Sequence, residues 1–263
     1  MEINDESCFM VNNKTPLYKY YNAKTSLNSQ NSNVFETSIA AAFDDEKYRL
    51  HTIDTTKHTK RKKGSLPLDI EYKNNELENA ILNRKSTREF SNELISYTDF
   101  CKIIGLSYGF NNYGRITTPS AGGIYEIKLI IIINHVENIK NGVYLYDINS
   151  NSLLPLDLNF NVLDYQKITY SLTLAEKCAF SVHAITHPCF MTYKYGDRGY
   201  RFLNLECGHI FQNLSLVANY LNIGSVCSGG FAEKNFIDYL NNNSPLNFND
   251  YMVLYEEFFG KER

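Results

Sequence analysis

Glu126-Ile127-Lys128-Leu129-Ile130-Ile131-Ile132-Ile133-Asn134 holds an unbroken Ile/Leu run near the middle of a 263-residue chain. A run this short, with no polar residue at alternate positions, reads as a strand buried on both faces. Layers of structure must therefore cover both sides of the sheet it belongs to. Outward from it, residues 142–147 and 152–156 flank an Asn/Ser turn and read as a hairpin. Residues 178–185, 223–227 and 251–257 supply further strand patterns. Helical patterns lie between and before them. Residues 76–83 have apolar positions at Leu77, Ala80 and Ile81. Ser96 reads as an N-cap with Asp99 in the first turn, opening a helix to about residue 107. Residues 201–222 are the longest helix, with Leu205, Ile210, Leu214, Val217 and Leu221 expected inward, and residues 232–240 form another. Helices and strands mix without strict alternation and without a repeat. The expected class is α+β, one sheet with helices around it.

The whole chain bounds the function classes. It is 43% hydrophobic and 14% aromatic, enough for one substantial core. A net charge of −3 gives no field that draws it to nucleic acid or to a membrane surface. No apolar run approaches the roughly 20 residues of a membrane span. The polar start, residues 1–13, lacks the pattern of a signal peptide. Cys8, Cys101, Cys178, Cys189, Cys207 and Cys227 show no C-x-x-C pair and read as scattered thiols in a reducing cytoplasm. Residues 1–70 are uneven, rich in Asn, Ser, Thr and Lys, with short apolar patches at Val34-Phe35 and around Ile39. The basic tetrad Lys60-Arg61-Lys62-Lys63 reads as a solvated loop. The chain thus divides into an irregular extension, 1–70, and a structured domain, 71–263.

Four segments have the residue types for chemistry. Lys194-Tyr195-Gly196-Asp197-Arg198-Gly199-Tyr200-Arg201-Phe202 puts an amine, phenols and two guanidinium groups in nine residues, either as a solvated strand-to-helix turn or as a reactive cluster. Arg84-Lys85-Ser86-Thr87-Arg88 is a solvated helix end or a phosphate grip, since guanidinium forks and hydroxyls suit phosphate oxygens. Thr118-Pro119-Ser120-Ala121-Gly122-Gly123 and the 224–231 segment are small-residue turns that let backbone approach a flat ligand. Neither a P-loop nor a G-x-G-x-x-G motif is present. His183-x-x-x-His187 has zinc spacing, but Pro188 follows and no ligand cluster accompanies it, so no metal is expected. His209 reads as a helix histidine.

In this order and spacing, with the Glu206-Cys207-Gly208-His209-Ile210-Phe211-Gln212-Asn213 helix, these segments resemble the flavin-dependent nitroreductase superfamily from about Leu66 onward. More narrowly they resemble its SagB-type branch, the azoline dehydrogenases of ribosomally made peptides. The resemblance implies a central, mostly antiparallel sheet flanked by helices, in a homodimer with FMN at its interface. It implies that Arg84, Lys85, Ser86 and Arg88, with Lys261 and Arg263, hold the FMN phosphate and ribityl chain. Pro119, Ser120, Ala121 and Gly122 are implied to lie against the isoalloxazine, and Ser228, Gly229 and Gly230 to offer backbone N–H near its N5 edge. Lys194 and Tyr195 match the branch's catalytic pair. The partners implied are an azoline-containing precursor peptide and a cyclodehydratase complex. Either Lys194 or Tyr195 can take the proton that aromatisation releases, with Arg198 as a cation that would help keep the lysine neutral. The competing functions are a general NAD(P)H-dependent nitroreductase or quinone reductase, and a flavin-poor scaffold of the modifying complex. The matching tail after Phe259 is short and the first quarter of the chain matches poorly.

Overall fold

The computed structural model describes residues 16–28, 30–56, 63–68 and 70–263. Cys8, residues 1–13 and Lys60, Arg61 and Lys62 of the basic tetrad lie outside the described residues. The centre is a six-stranded sheet of β1 (Ile127–Ile133), β2 (Gly142–Asp147), β3 (Ser152–Asp157), β4 (Phe180–Thr186), β5 (Gly224–Ser228) and β6 (Met252–Gly260), in the order β3-β2-β1-β4-β6-β5. Every pairing within it is antiparallel. This is the α+β class read from the sequence, and each strand falls within a few residues of its expected place.

β1 behaves as its composition demands. Six of its seven positions are buried and only Lys128 is exposed. Side chains alternate across a strand, so Leu129, Ile131 and Ile133 enter one core while Ile130 and Ile132 enter the other. The first core is closed by α5 (Tyr97–Tyr108) and α9 (Arg198–Tyr220), through Phe100, Ile103, Leu203, Ile210 and Leu214. The second is closed by α6 (Tyr165–Ile168) and α10 (Glu233–Asn243), through Tyr165, Ile168, Phe236 and Leu240. α5 starts where its cap places it: Asp99 N–H donates to Ser96 Oγ at 3.1 Å.

Four expectations need correction. α9 starts at Arg198, three residues earlier than expected, and its inward stripe is Leu203, Cys207, Ile210 and Leu214. Leu205 is 55% exposed, because two residues from Leu203 is about 200° around a helix. In α4 (Glu76–Asn83) Ala80 is buried but Leu77 and Ile81 are exposed. The stretch before residue 70 carries α1 (Leu17–Thr25), α2 (Ser32–Asp44) and α3 (Glu46–Thr56) where the sequence looked uneven. α1 is tied to the rest of the chain: Tyr18 is buried and stacks on Tyr200 at 6.0 Å, and Leu27 N–H donates to the Glu233 carboxylate at 2.8 Å. Among the described cysteines, Cys101, Cys178, Cys207 and Cys227 are free, whereas Cys189 is disulfide-bonded. Spacing along the sequence does not report which thiols the fold brings together.

The aromatic centre of the first core is Phe180, stacked on Phe259 at 4.6 Å and met edge-on by Phe100 at 5.1 Å. Phe180→Ala should cost about 3–5 kcal/mol of unfolding free energy in a urea titration, because a fully buried ring leaves a cavity between two strands and a helix. A loss below about 1 kcal/mol would mean that this core collapses freely around the gap.

Candidate functional site

Lys194 and Tyr195 occupy the last turn of α8 (Cys189–Tyr195), not a strand-to-helix turn. The start of α8 is held by Glu126, whose carboxylate accepts from Phe190 N–H and, at 2.8 Å, from Met191 N–H. The end is set by Gly196 at φ 59°, ψ −152°, a conformation open to glycine, which swings the chain into α9. The corner aims both side chains at the 118–123 turn. A Cβ built on Gly122 would lie 2.5 Å from Lys194 Nζ and 2.7 Å from Tyr195 Oη. The amine and the phenol therefore converge on a bare α-carbon, and Gly122, at φ +66°, can have no other side chain. Lys194 Nζ sits 5.3 Å from the Tyr195 ring centre, and the Tyr195 ring meets Phe202 edge-on at 5.1 Å. Arg198 stacks on Phe202 at 5.7 Å. Tyr195 is half-buried and Lys194 is exposed, so this chain alone does not supply the burial that a neutral lysine base requires.

Beside this cluster lies a carboxyl that the sequence reading passed over. Glu206, one helical turn beyond Phe202, is 1% exposed and neither of its oxygens has a hydrogen-bond partner. The Tyr108 hydroxyl donates instead to the Ile127 carbonyl at 3.0 Å, and Ser120 Oγ accepts from Tyr125 N–H at 3.1 Å. Burial pushes the Glu206 carboxyl up to about 7, opposed by the Ser120 and Tyr108 hydroxyls and reinforced by the Glu126 charge. A glutamate on an amphipathic helix ordinarily signals a solvent face. Only its i,i+4 relation to Phe202 and its phase with Leu203 and Cys207 point inward.

The basic segments come together through backbone pairing. Ser86 bridges to Ser225, and Thr87 N–H donates to the Ser225 carbonyl at 2.9 Å. Ser91 N–H donates to the Lys261 carbonyl at 2.8 Å and Arg263 N–H to the Glu89 carbonyl at 3.2 Å. The 84–88 run and the 261–263 tail thus lie side by side, with Arg84, Ser86, Arg88 and Arg263 exposed. Lys85 is engaged, its ammonium 2.5 Å from the Glu262 carboxylate. Below them a cavity of about 130 Å³ is lined by Thr87, Ser215, Asn219 and Ser225 among others. Glu257 lies beneath, fully buried, accepting from Ser215 Oγ at 2.5 Å. Burial raises it to about 7, opposed by Ser215, Ser225, Cys227 and the Arg84 charge.

The Ser228-Gly229-Gly230 turn ends β5. Ser228 Oγ accepts from Gly230 N–H at 2.9 Å and shares a 2.6 Å hydrogen bond with Ser171 Oγ. Among the described residues, no hydrogen bond or ion pair joins the Lys194–Tyr195–Gly122 cluster to the basic group or to this turn. His183 is sealed inside the sheet and cannot reach a substrate, while His209 is exposed on α9. Among the described residues no group of His, Cys, Asp and Glu suits a metal ion, and no helix is long and apolar enough to cross a membrane.

Residues 81–249 match the family model described as the nitroreductase family. The chain belongs to the nitroreductase family. Nitroreductases are oxidoreductases that generally bind FMN. A Methanocaldococcus jannaschii protein named as a nitroreductase is 28% identical over 166 residues, 60% of this chain and 80% of that protein. An Anabaena variabilis structure named as a nitroreductase superposes with a TM-score of 0.62 at 25% identity, covering 71% of this chain. This chain spans only 38% of that one. A chain of the E. coli microcin synthetase McbBCD complex, solved with truncated pro-MccB17 bound, shares the fold at 18% identity and TM-score 0.61, over 96% of this chain and all of that one.

The buried Glu206 gives this nitroreductase a testable pH dependence. Its carboxyl rises from an ordinary 4.5 to about 7 on folding, so the folded state holds a proton that the unfolded state releases between those values. Its contribution to stability is full below about 4.5 and is lost as pH rises through about 7. His183, lowered to about 3 by burial, acts in the opposite sense and is complete by about pH 6.5. In urea titrations at pH 5 and pH 8, Glu206→Gln should therefore show a smaller loss of stability across the interval than wild type. An equal or larger loss would place the Glu206 proton elsewhere.

Proposed function

We propose that this protein is an FMN-dependent dehydrogenase that oxidises thiazoline or oxazoline rings in a ribosomally made peptide to thiazole or oxazole. The observation that carries the reading is the convergence of Lys194 Nζ and Tyr195 Oη on Gly122. A nitroreductase acting on nitroaromatics needs no such proton-handling pair. Azoline aromatisation does, because one ring hydrogen leaves as a proton and its neighbour leaves as a hydride. FMN, when bound, supplies the acceptor for the hydride. The chain's own residues do the rest. The exposed guanidinium groups of Arg84, Arg88 and Arg263, with the Ser86 hydroxyl, form a donor set that fits one phosphate. Lys261 belongs to the same group through its backbone, and Lys85 contributes charge that Glu262 partly offsets. Pro119, Ser120, Ala121 and Gly122 present little side-chain bulk, as a flat ring requires. The exposed Gly229 N–H, between Ser228 and Gly230, is left free for a ligand acceptor.

The ring proton goes to the Lys194 amine or to Tyr195 as phenolate. The lysine must first lose its exposure, and substrate or a second chain would do that. A second copy is supported by the apolar side chains that one chain leaves uncovered: Leu77 and Ile81 on α4, Leu106 on α5, and Leu205 and Tyr220 on α9. We read the enzyme as a homodimer with the flavin at the shared face. The likeness in fold to a chain of the microcin synthetase complex, solved with truncated pro-MccB17 bound, supports a peptide substrate and a complex; we assign a cyclodehydratase to that complex from the family resemblance. We divide the chain near residue 70 and assign partner docking to the first part, where Val34, Ile39 and Phe43 on α2 are exposed. We place its action in the cytoplasm on the free thiols at Cys101, Cys178, Cys207 and Cys227, and the Cys189 disulfide argues the other way. A second reading, a general NAD(P)H-dependent nitroreductase, is favoured by the name of the M. jannaschii relative.

Mass spectrometry of a precursor peptide treated with cyclodehydratase and this protein separates the two. Each ring oxidised lowers the mass by about two daltons, the two hydrogens passed on. Lys194→Ala and Tyr195→Phe should stay yellow and folded while this loss slows by about a hundredfold to ten-thousandfold. Both variants oxidising at wild-type rate would put the base elsewhere, with exposed His209 next in line. Wild type that reduces nitroaromatics with NADPH and leaves azolines untouched would establish the second reading.

A further inference from the structure

Behind the Ser228-Gly229-Gly230 turn, a chain of polar groups runs into the middle of the sheet. Asn134 Nδ2 donates to the Tyr165 hydroxyl at 3.2 Å, which is 3.2 Å from Ser181 Oγ, which is 3.0 Å from His183 Nε2. His183 on β4 is opposite Glu256 on β6, and both are fully buried. His183 Nδ1 and Glu256 Oε2 face each other at 3.6 Å, and among the described residues neither has a hydrogen-bond partner. The other carboxyl oxygen, Oε1, meets the Thr169 hydroxyl at 2.9 Å.

Thr169 decides the state of this carboxyl. Its hydroxyl has one proton but lies within reach of two acceptors, Glu256 Oε1 at 2.9 Å and the Gly230 carbonyl at 3.1 Å. It also accepts from Ser171 N–H at 3.0 Å. With Glu256 ionised, the Thr169 proton is drawn to Oε1 and the Gly230 carbonyl keeps only the Tyr170 N–H, at 2.6 Å. With Glu256 protonated at Oε1, its O–H donates to Thr169 Oγ1 and the Thr169 O–H donates to Gly230, so the turn gains a second donor. A neutral carboxyl also removes the cost of a buried, unpaired charge. The direction of its titration agrees: burial raises Glu256 to about 8, against the Thr169, Ser228 and Ser171 hydroxyls. The 3.6 Å contact with His183, itself neutral, is therefore not an ion pair.

This chain holds the turn at both peptide groups of Gly230. The Gly230 carbonyl accepts from Thr169 and, at 2.6 Å, from Tyr170 N–H, while the Gly230 N–H is spent on Ser228 Oγ at 2.9 Å. Gly229 N–H, next to it, has no partner among the described residues and Gly229 is exposed. We propose that Glu256 is a positioning residue that acts as a neutral acid: its proton, handed on through Thr169, orders the Ser228-Gly229-Gly230 turn so that the Gly229 N–H is the donor offered to the flavin ring. The proposal rests on the flavin reading above and adds a residue that never touches the cofactor.

The test is flavin affinity, measured by fluorescence quenching with FMN and with riboflavin. Thr169→Val keeps shape and removes the hydroxyl. Glu256→Gln keeps a neutral group with one donor and one acceptor, and Glu256→Ala removes both. Thr169→Val and Glu256→Ala should each weaken FMN by about tenfold, the value of roughly one hydrogen bond. The same factor should appear with riboflavin, because the turn addresses the ring and not the phosphate. Glu256→Gln should bind both within about threefold of wild type, a difference too small for a lost hydrogen bond. If Glu256→Ala does not fold, Thr169→Val carries the test. Wild-type affinity in Thr169→Val, or Glu256→Gln as weak as Glu256→Ala or Thr169→Val, overturns the proposal and leaves the flavin reading standing. A wild-type protein that binds neither ligand overturns both.

Discussion

β6 lies between β4 and β5, and its two adjacent glutamates must point to opposite faces of the sheet. Much of the site depends on that alternation. Glu257 goes to the face covered by α9, under Ser225 and the Arg84 charge. Glu256 goes to the face covered by α6 and α10, under Thr169 and the end of β5. Two carboxyls side by side in a buried strand would be severely destabilising as anions. Both are instead raised toward neutrality by burial and met by hydroxyls: Ser215 for one, Thr169 for the other. β6 then continues to Gly260, and the residues after it reach the 84–91 segment by backbone pairing. One strand thus underlies the basic group and the glycine turn together.

The remaining cluster depends on a different constraint, the α8–α9 corner. Gly196 ends one helix, α9 begins two residues later, and the amine and phenol of the last α8 turn face Gly122. Within one chain this cluster is not linked to the groups that β6 supports. The exposed apolar residues of α4, α5 and α9 sit on helices that pack on one another around the same core. A second copy covering them would account for both features, the uncovered surface and the divided site.

Much of the fold was legible. β1 announced itself by composition, β2 and β3 by the turn between them, and α5 by Ser96. The 194–202 segment stood out in the sequence as charge out of place, and the structure puts Lys194 and Tyr195 against Gly122. What failed has physical causes. The phase of α9 was misjudged at Leu205, because leucines were assumed to be inward and one is exposed. The helices before residue 70 have few core contacts to stamp a pattern on their sequence: among the described residues there, Tyr18 on α1 and Leu27 just after it are the buried apolar side chains. Glu206, Glu256 and Glu257 were invisible as site residues. A carboxylate in a sequence reads as a solvent-facing group, and only the packing around the sheet reveals it as buried, with burial raising its carboxyl. The meeting of residues 84–88 with 261–263 was expected from family resemblance alone, since no local signal links segments so far apart.

We propose that the flavin site is completed by a second copy of this chain. Sedimentation equilibrium of the yellow protein, with flavin absorbance and protein absorbance read on the same sample, tests it directly. The claim predicts a mass of twice the 30.3 kDa chain and one FMN per chain, with flavin and mass lost together on dilution. A species at the mass of a single chain that retains stoichiometric FMN would contradict it.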